Sequence, residues 1–250
     1  VPRDLVIRHR WLFADEWPKL PDQSQRDSAR YEQILEERRQ EALREIYSER
    51  GLEGIESLAV ACPKAPWVGM TLARLDLSLD DLAEWIAERG GNFSNDEPLT
   101  PTIRGLLRAL SEVDSAKLIR SVLSKARDQN WELIRLARFS VLARPEGTTW
   151  EIVEACGRDV VEAYWSLVQP PFQFASDSNK FNLEYSLRKL LEVKRPRTAF
   201  YVSCLTREEI EPSLLAEILE RLLLNEEADV AFPDPWSVEE AIKRLEASGA

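Results

Sequence analysis

Residues 187–203, LRKLLEVKRPRTAFYVS, have the pattern of two helices joined by a short link. Asn182 can cap the first helix, because its side chain can accept a hydrogen bond from a backbone N–H of the first turn. Pro196 can open the second helix, since a proline at the first helical position removes no intrahelical hydrogen bond. Residues 198–204 have some strand preference, but they lie among helix signals. The segment therefore predicts a helical hairpin.

Helix signals of the same kind recur along the rest of the chain. Glu, Arg, Leu and Ala dominate the composition, all of them good helix formers, and only 9 of the 250 residues are Gly. We expect roughly a dozen helices with short links and no strand hairpin. The first long helix is predicted to open at Asp22 or Asp27 and to end at Gly51. Later helices are predicted to start at Ser78, Thr100 with Pro101, Asp114, Thr148 and Ser237.

The helix pairs recur at intervals of about 30 to 45 residues, which is the period range of helical solenoids. In this respect residues 52–247 resemble helical-repeat proteins of the HEAT and tetratricopeptide type, although no consensus repeat stands in register. The resemblance implies an all-α fold of stacked antiparallel helical hairpins, an α-solenoid, with an irregular helical bundle as the alternative. We expect a lead-in and long helix over 1–51 and a helical-repeat body over 52–250.

The apolar positions of these helices predict the core. The residues that we expect to be largely buried are Leu82, Trp85, Ile86, Ile119, Leu123, Ile134, Ala137, Leu191 and Leu219. Core packing is also predicted for Trp67, Trp131 and Trp165, and packing at helix starts for Trp150 and Trp236. Cys62, Cys156 and Cys204 are far apart in the sequence, so we expect small buried side chains and neither a disulfide framework nor a zinc knuckle.

Charge is unevenly distributed along the chain. The formal net charge is −11, with −6 in residues 51–100 and −8 in 201–250 but +4 in 101–150. The overall acidity disfavours nonspecific binding to nucleic acid or to an anionic membrane. Within the basic centre, Arg104 and Arg108 are i,i+4 neighbours on one predicted helix, and Arg135 and Arg138 are i,i+3 neighbours on another. These four arginines form a candidate partner-binding ridge if the helices stack in order.

The sequence carries no pattern typical of an active site or of a cofactor site. His9 is the only histidine and lies between Arg8 and Arg10 in a predicted loop, where no neighbour supplies a carboxylate to orient it as a general base. There is no glycine-rich phosphate-binding motif. The carboxylate clusters fit helix N-termini and solvated faces. We therefore expect neither enzymatic activity nor a cofactor or metal.

These observations favour an interaction module. Helical stacks expose extended surfaces, so we predict protein–protein interaction or scaffolding within a larger bacterial polypeptide, with another protein or another domain of that polypeptide as the partner. One alternative is a HEAT-like domain that binds nucleic acid or repairs DNA, and another is a helical appendage to a catalytic domain outside this chain. From Val1 at the start and a single methionine, Met70, we expect a piece of a longer protein or a trimmed start.

Apolar segments are too short for insertion into a bilayer. No stretch approaches the roughly 20 apolar residues of a membrane span, and no signal peptide is visible. We therefore predict no membrane association and a cytoplasmic location.

Overall fold

The computed structural model describes residues 3–20, 28–62, 66–170, 172, 182–205, 210–224 and 233–248. Within these ranges all regular structure is helical, which confirms the predicted all-α fold class. The helices are α1 (Leu5–His9), α2 (Trp11–Ala14), α3 (Ser28–Ala61), α4 (Trp67–Leu72), α5 (Leu79–Arg89), α6 (Thr100–Ala109), α7 (Glu112–Asp128), α8 (Leu133–Ser140), α9 (Gly147–Glu154), α10 (Arg158–Leu167), α11 (Leu183–Glu192), α12 (Pro196–Leu205), α13 (Pro212–Leu223) and α14 (Pro235–Ser248).

The helices form two compact units, a first unit over Val1–Ala143 and a second unit over Arg144–Ala250. The helix packing within them is consistent with a helical-repeat fold. The predicted boundary between residues 51 and 52 falls inside the first unit, at a kink in α3. Gly51 has φ 57° and ψ −147° there, a left-handed backbone that glycine adopts without a steric penalty.

Helix pairing in the first unit is interleaved. The short helices α1 and α2 pack on α3, which also contacts α4. Further along, α4 packs on α6 while α5 packs on α7, so that neighbours in sequence are not the main partners in space. Each of these pairs therefore skips one helix in the sequence, and α6 and α7 make a smaller contact between the pairs.

Two glycines bring α4 and α6 into backbone contact. A Cβ atom on Gly69 would lie 1.7 Å from the Thr102 carbonyl oxygen, and one on Gly105 would lie 2.2 Å from the Pro66 carbonyl oxygen. Any larger residue would therefore push the two backbones apart. Thr102 is itself fully buried, so this crossing belongs to the core of the first unit.

Helices of the second unit pack in chain order, each of α9 to α14 on the next. A cluster of rings fills the interior around Trp150 and Trp165, whose centroids are 5.3 Å apart. Tyr185 packs on both tryptophans, at 6.0 and 5.8 Å. The buried Arg195 donates to the carbonyls of Trp165 and Val168 at 2.8 and 2.7 Å, and so satisfies acceptors that the end of α10 leaves open.

Several predicted helix starts are confirmed, and three are displaced. Ser78, Asn182 and Pro196 begin helices as expected, and α6 has Pro101 in its first turn but starts one residue earlier, with Leu99 at the N-cap. The cap of α7 is the Ser111 hydroxyl, which accepts from the Asp114 N–H at 3.1 Å, so the assignment of Asp114 as the cap was wrong. Glu146 occupies the N-cap position of α9, in place of Thr148, and the Asp234 carboxylate accepts from the Ser237 N–H at the start of α14. In each case the residue at the cap position lies two or three positions earlier in the sequence. Asp22 and Asp27 lie outside the described residues.

The predicted core is correct at seven of nine positions. Leu82, Trp85, Ile86, Ile119, Leu123, Ala137 and Leu191 are buried. Ile134 is wrong, with 38% of its surface exposed, because the first turn of α8 projects into solvent and the helix meets the core only from Ala137 onward. Leu219 is half-buried.

Two expectations for the second unit are also corrected. Trp236 stands at the start of α14 but is 69% exposed, although α14 packs on α13 and its Ala241 is buried. Cys204 is exposed near the end of α12, whereas Cys62 is buried as expected. Across the described ranges, no helix combines the length and the apolar character that crossing a bilayer requires.

Candidate partner-binding groove

A groove of about 690 Å³ lies in the first unit between the N-terminal half of α3 and α4. Trp67 and Met70 of α4 line one wall, together with Arg74 just after the helix. Glu32 and Glu36 belong to the opposite wall, on α3. Trp67, Met70 and Arg74 share one face of the chain because they are three and four residues apart, and Glu16 and Trp17 complete the lining.

Arg39 lines the groove and connects the segments around it. Its side chain is buried, and its Nε donates to the Leu12 carbonyl at 2.8 Å while Nη2 donates to the carbonyl of Asp15 at 2.8 Å. The guanidinium also lies 5.2 Å from the Trp67 ring centroid. Burial lowers the pKa of Arg39 from its ordinary value. Arg39 thus fastens the chain after α2 to α3 and α4. These contacts explain why a charged residue interrupts the apolar face of α3.

Trp17 is positioned over the groove by a stacked ring. Its centroid lies 5.4 Å from that of the buried Tyr31, and the Tyr31 hydroxyl donates to the Pro18 carbonyl. Trp17 nevertheless keeps 39% of its surface exposed, and Met70 keeps 36%. The groove therefore offers a partner an aromatic ring that stacking holds in place and an exposed thioether.

The electrostatic character of the groove is acidic. Glu16, Glu32, Glu36 and Glu37 line it against the two cations Arg39 and Arg74. Arg39 donates to backbone carbonyls and interacts electrostatically with Glu36 and Glu16, and Arg74 Nη1 lies 3.0 Å from Glu36 Oε1. For Glu16 and Glu32, no basic side chain of the described residues comes within ion-pair distance. Among the described residues, no three His, Cys, Asp or Glu side chains form a group that could hold a metal ion. The four carboxylates therefore line the surface of the groove.

The four arginines of the predicted ridge also belong to the first unit, and three have partners within the chain. Arg104 donates to the Asn95 side chain at 3.2 Å, and Arg108 Nε donates to the Leu142 carbonyl at 3.1 Å. Arg135 donates to the Ala87 carbonyl at 3.2 Å. Arg138 is half-exposed on α8. Their role in binding a partner stays a prediction.

Arg135 is the most constrained of these arginines. Its guanidinium lies 3.6 Å from the Trp131 centroid and 5.7 Å from that of Phe93, so it stacks within an aromatic cluster. Desolvation lowers its pKa from the ordinary value. Trp131 itself is buried, as predicted.

His9 differs from its predicted setting. It lies at the end of α1, not in a loop, and its Nε2 is 2.8 Å from Glu45 Oε2 on α3. The expectation that it lacks a carboxylate partner was wrong, because a residue 36 positions away supplies one. The contact ties α1 to α3, next to a second tie between Arg50 and Asp4 at 3.1 Å.

Comparisons with protein-family models, with curated proteins and with solved structures found no match to this chain. The groove therefore stands on its own geometry. Sequence reasoning missed it because its walls come from segments about 30 residues apart. Arg39 was the signal that could have indicated it, because it is a charged residue in the apolar stripe of α3. A buried arginine needs hydrogen-bond acceptors and aromatic neighbours from other parts of the chain.

Proposed function

We propose that this chain is a protein-interaction module and that the α3–α4 groove binds a partner segment carrying basic and apolar side chains. The observation that carries the proposal is the combination of exposed Trp17 and Met70 with Glu16 and Glu32, which have no ion-pair partner among the described residues. Aromatic residues and Met are enriched at protein interfaces, where large side chains supply most of the binding energy.

Charge complementarity supports a basic partner. Opposite charge speeds encounter and suppresses wrong partners, while like charge repels them. A polyanion would meet Glu16, Glu32 and Glu37 at the groove and is disfavoured there. An apolar side chain flanked by lysine or arginine would contact Trp17 and Met70 while its cation reached the carboxylates. A scaffolding role follows if the partner is another chain or another domain of the same polypeptide.

The test is selection of binders from a random dodecapeptide display library on the purified chain. Enriched peptides should carry arginine or lysine together with leucine or an aromatic residue. Trp17→Ala combined with Glu32→Gln should weaken the binding of those peptides by at least tenfold, a loss of about 1.4 kcal/mol.

A matched control lies in the second unit. Trp236→Ala with Glu151→Gln removes another exposed tryptophan and another surface carboxylate, and binding should not change. Enrichment of acidic peptides, or of basic peptides that bind both double variants equally well, would refute the assignment of the groove. Circular dichroism of each variant checks that its helix content is retained.

A further inference from the structure

We infer that the Arg74–Glu36 ion pair is a placeholder, which an arginine of the partner displaces to reach Glu36. This inference rests on the proposed function and names the side chain that the groove selects. Arg74 and Glu36 stand on opposite walls of the groove and lie 3.0 Å apart, so the pair bridges the two walls.

Arg74 is the more exposed partner of the ion pair. The Arg74 side chain is 53% exposed, whereas that of Glu36 is 25% exposed. Exposed ion pairs contribute little to stability, because water screens the charges and ordering two long side chains costs entropy. Arg74 also lies in the turn after α4, where its N–H bonds the Thr71 carbonyl at 3.0 Å. Its side chain can therefore swing away without disturbing a helix.

The two oxygens of the Glu36 carboxylate differ in their contacts. Arg74 Nη1 and Gln40 Nε2 both approach the same oxygen, Oε1, at 3.0 and 3.1 Å. Within the described part of the chain, no donor reaches the other oxygen, Oε2. A guanidinium that approaches along the groove can engage both oxygens in parallel, and such bidentate pairs are among the strongest charge-assisted hydrogen bonds.

Arginine is therefore favoured over lysine at this position. A lysine ammonium is a compact point charge that cannot match both carboxylate oxygens in a planar fork. An arginine can also lay its plane against an aromatic ring, and Trp67 lies in the same groove. Arg74 then acts as an internal competitor, so its removal should tighten the binding of an arginine-bearing ligand.

The experiment uses a fluorescently labelled amphipathic dodecapeptide of leucine and arginine, and an otherwise identical peptide with lysine in place of arginine. Fluorescence anisotropy gives Kd for the full chain at about 0.15 M salt. Arg74→Gln should tighten binding of the arginine peptide by roughly three- to tenfold, and the lysine peptide should gain less. Adding Glu36→Gln should abolish the gain.

Arg50→Gln is the matched control. Arg50 is another exposed arginine of the first unit with a carboxylate partner, Asp4, and it is not part of the groove. Its removal changes the net charge equally, so an equal gain would reduce the effect to general electrostatics and overturn the inference. An unchanged or weaker Kd in Arg74→Gln would also overturn it.

The two proposals fail separately. If Trp17→Ala with Glu32→Gln weakens the peptide while Arg74→Gln does not tighten it, the groove binds basic segments but Arg74 is no placeholder. If the peptide binds neither wild type nor Arg74→Gln more tightly than about 1 mM, both proposals are refuted.

Discussion

The two units use the same kind of short helix but join them in different orders. In the first unit α4 packs on α6 and α5 on α7, whereas in the second unit each helix from α9 to α14 packs on the next. The second order is the one that a chain of hairpins gives. In the first order a helix packs on the next but one in the sequence, so the spacing of helices along the sequence does not reveal the pairs. Periodicity is therefore informative about neighbours only where links are short and partners are consecutive.

The contacts that hold the units differ as well. Backbones meet in the first unit, at Gly69 and Gly105, whose missing side chains permit the crossing. Large rings pack in both units, around Phe93, Trp131 and Phe139 in the first and in a larger cluster around Trp150 and Trp165 in the second. We expect the second unit to be most sensitive to the loss of side-chain volume and the α4–α6 crossing to be sensitive to its addition.

The largest effect is expected from Trp165→Ala. This ring is buried and contacts Trp150, Tyr164 and Tyr185. Truncation of a buried tryptophan leaves a cavity and should lower the free energy of unfolding by about 3–5 kcal/mol. Guanidinium chloride unfolding followed by circular dichroism measures it.

The control for that change is Trp236→Ala, which removes an equally large ring that is mostly exposed. Its effect should stay within about 0.5 kcal/mol. A comparable loss in the two variants would contradict the picture of a second unit held together by its buried rings.

Next in size is Ile119→Ala, in the first unit. Ile119 is buried in α7, and core truncations of this kind cost about 2–5 kcal/mol. Ile134→Ala deletes the same atoms from the exposed first turn of α8 and should cost clearly less. Equal losses in the two unfolding midpoints would show that the first turn of α8 is packed in solution.

Gly69→Ala tests the backbone crossing of α4 and α6. Within a helix this change usually stabilises, by up to about 1 kcal/mol. Here the added methyl group would overlap the Thr102 carbonyl, so we expect a loss of about 1–3 kcal/mol. A gain in stability in chemical denaturation would mean that the two helices do not cross this closely.

Gly51→Ala is the companion variant for the crossing. A Cβ there would meet no atom within 4 Å, and the left-handed φ of 57° is its main obstacle. We expect a loss of about 1–2 kcal/mol from that backbone alone. Combining both variants should give additive losses, because the two sites fail for unrelated reasons.

Local signals in the sequence were sufficient for the fold class. Helix starts at Ser78, Pro101, Asn182 and Pro196 depend on a side chain and its own first turn, and these can be recognised without knowledge of the rest of the molecule. At Thr148 the error arose because α9 starts earlier, after Glu146, without a side-chain cap. The errors at Asp114 and Ser237 arose because a residue three positions earlier, Ser111 or Asp234, can also cap. Which one does so depends on where the packed part of the helix begins.

Burial at helix ends and the groove could not be predicted in the same way. Ile134 follows the apolar pattern of its helix. Its burial, however, depends on whether other elements extend far enough to cover the first turn of α8. The groove depends on Arg39 reaching carbonyls of Leu12 and Asp15, more than 20 residues earlier in the chain. Such contacts leave no spacing rule in the sequence.

The smallest expected effect concerns nucleic acid, and it compares the units by charge. Formal charge is −3 over residues 1–143 and −8 over 144–250, so neither unit attracts a polyanion as a whole. The basic centre, with Arg104, Arg108 and Arg138, lies in the first unit. If these arginines bound phosphates, affinity would fall steeply with salt, because each neutralised phosphate releases counterions.

We expect single- and double-stranded DNA to bind more weakly than micromolar at about 0.15 M salt, where the Debye length is about 8 Å. Replacing Arg104, Arg108 and Arg138 together by Ala should leave that weak binding nearly unchanged. Arg135 is kept, because it stacks on Trp131 and its loss would disturb the unit itself. A salt titration decides the matter. Submicromolar affinity with a steep salt slope that the triple variant flattens would favour a nucleic-acid-binding domain, and the acidic groove would then not be the principal site of the first unit.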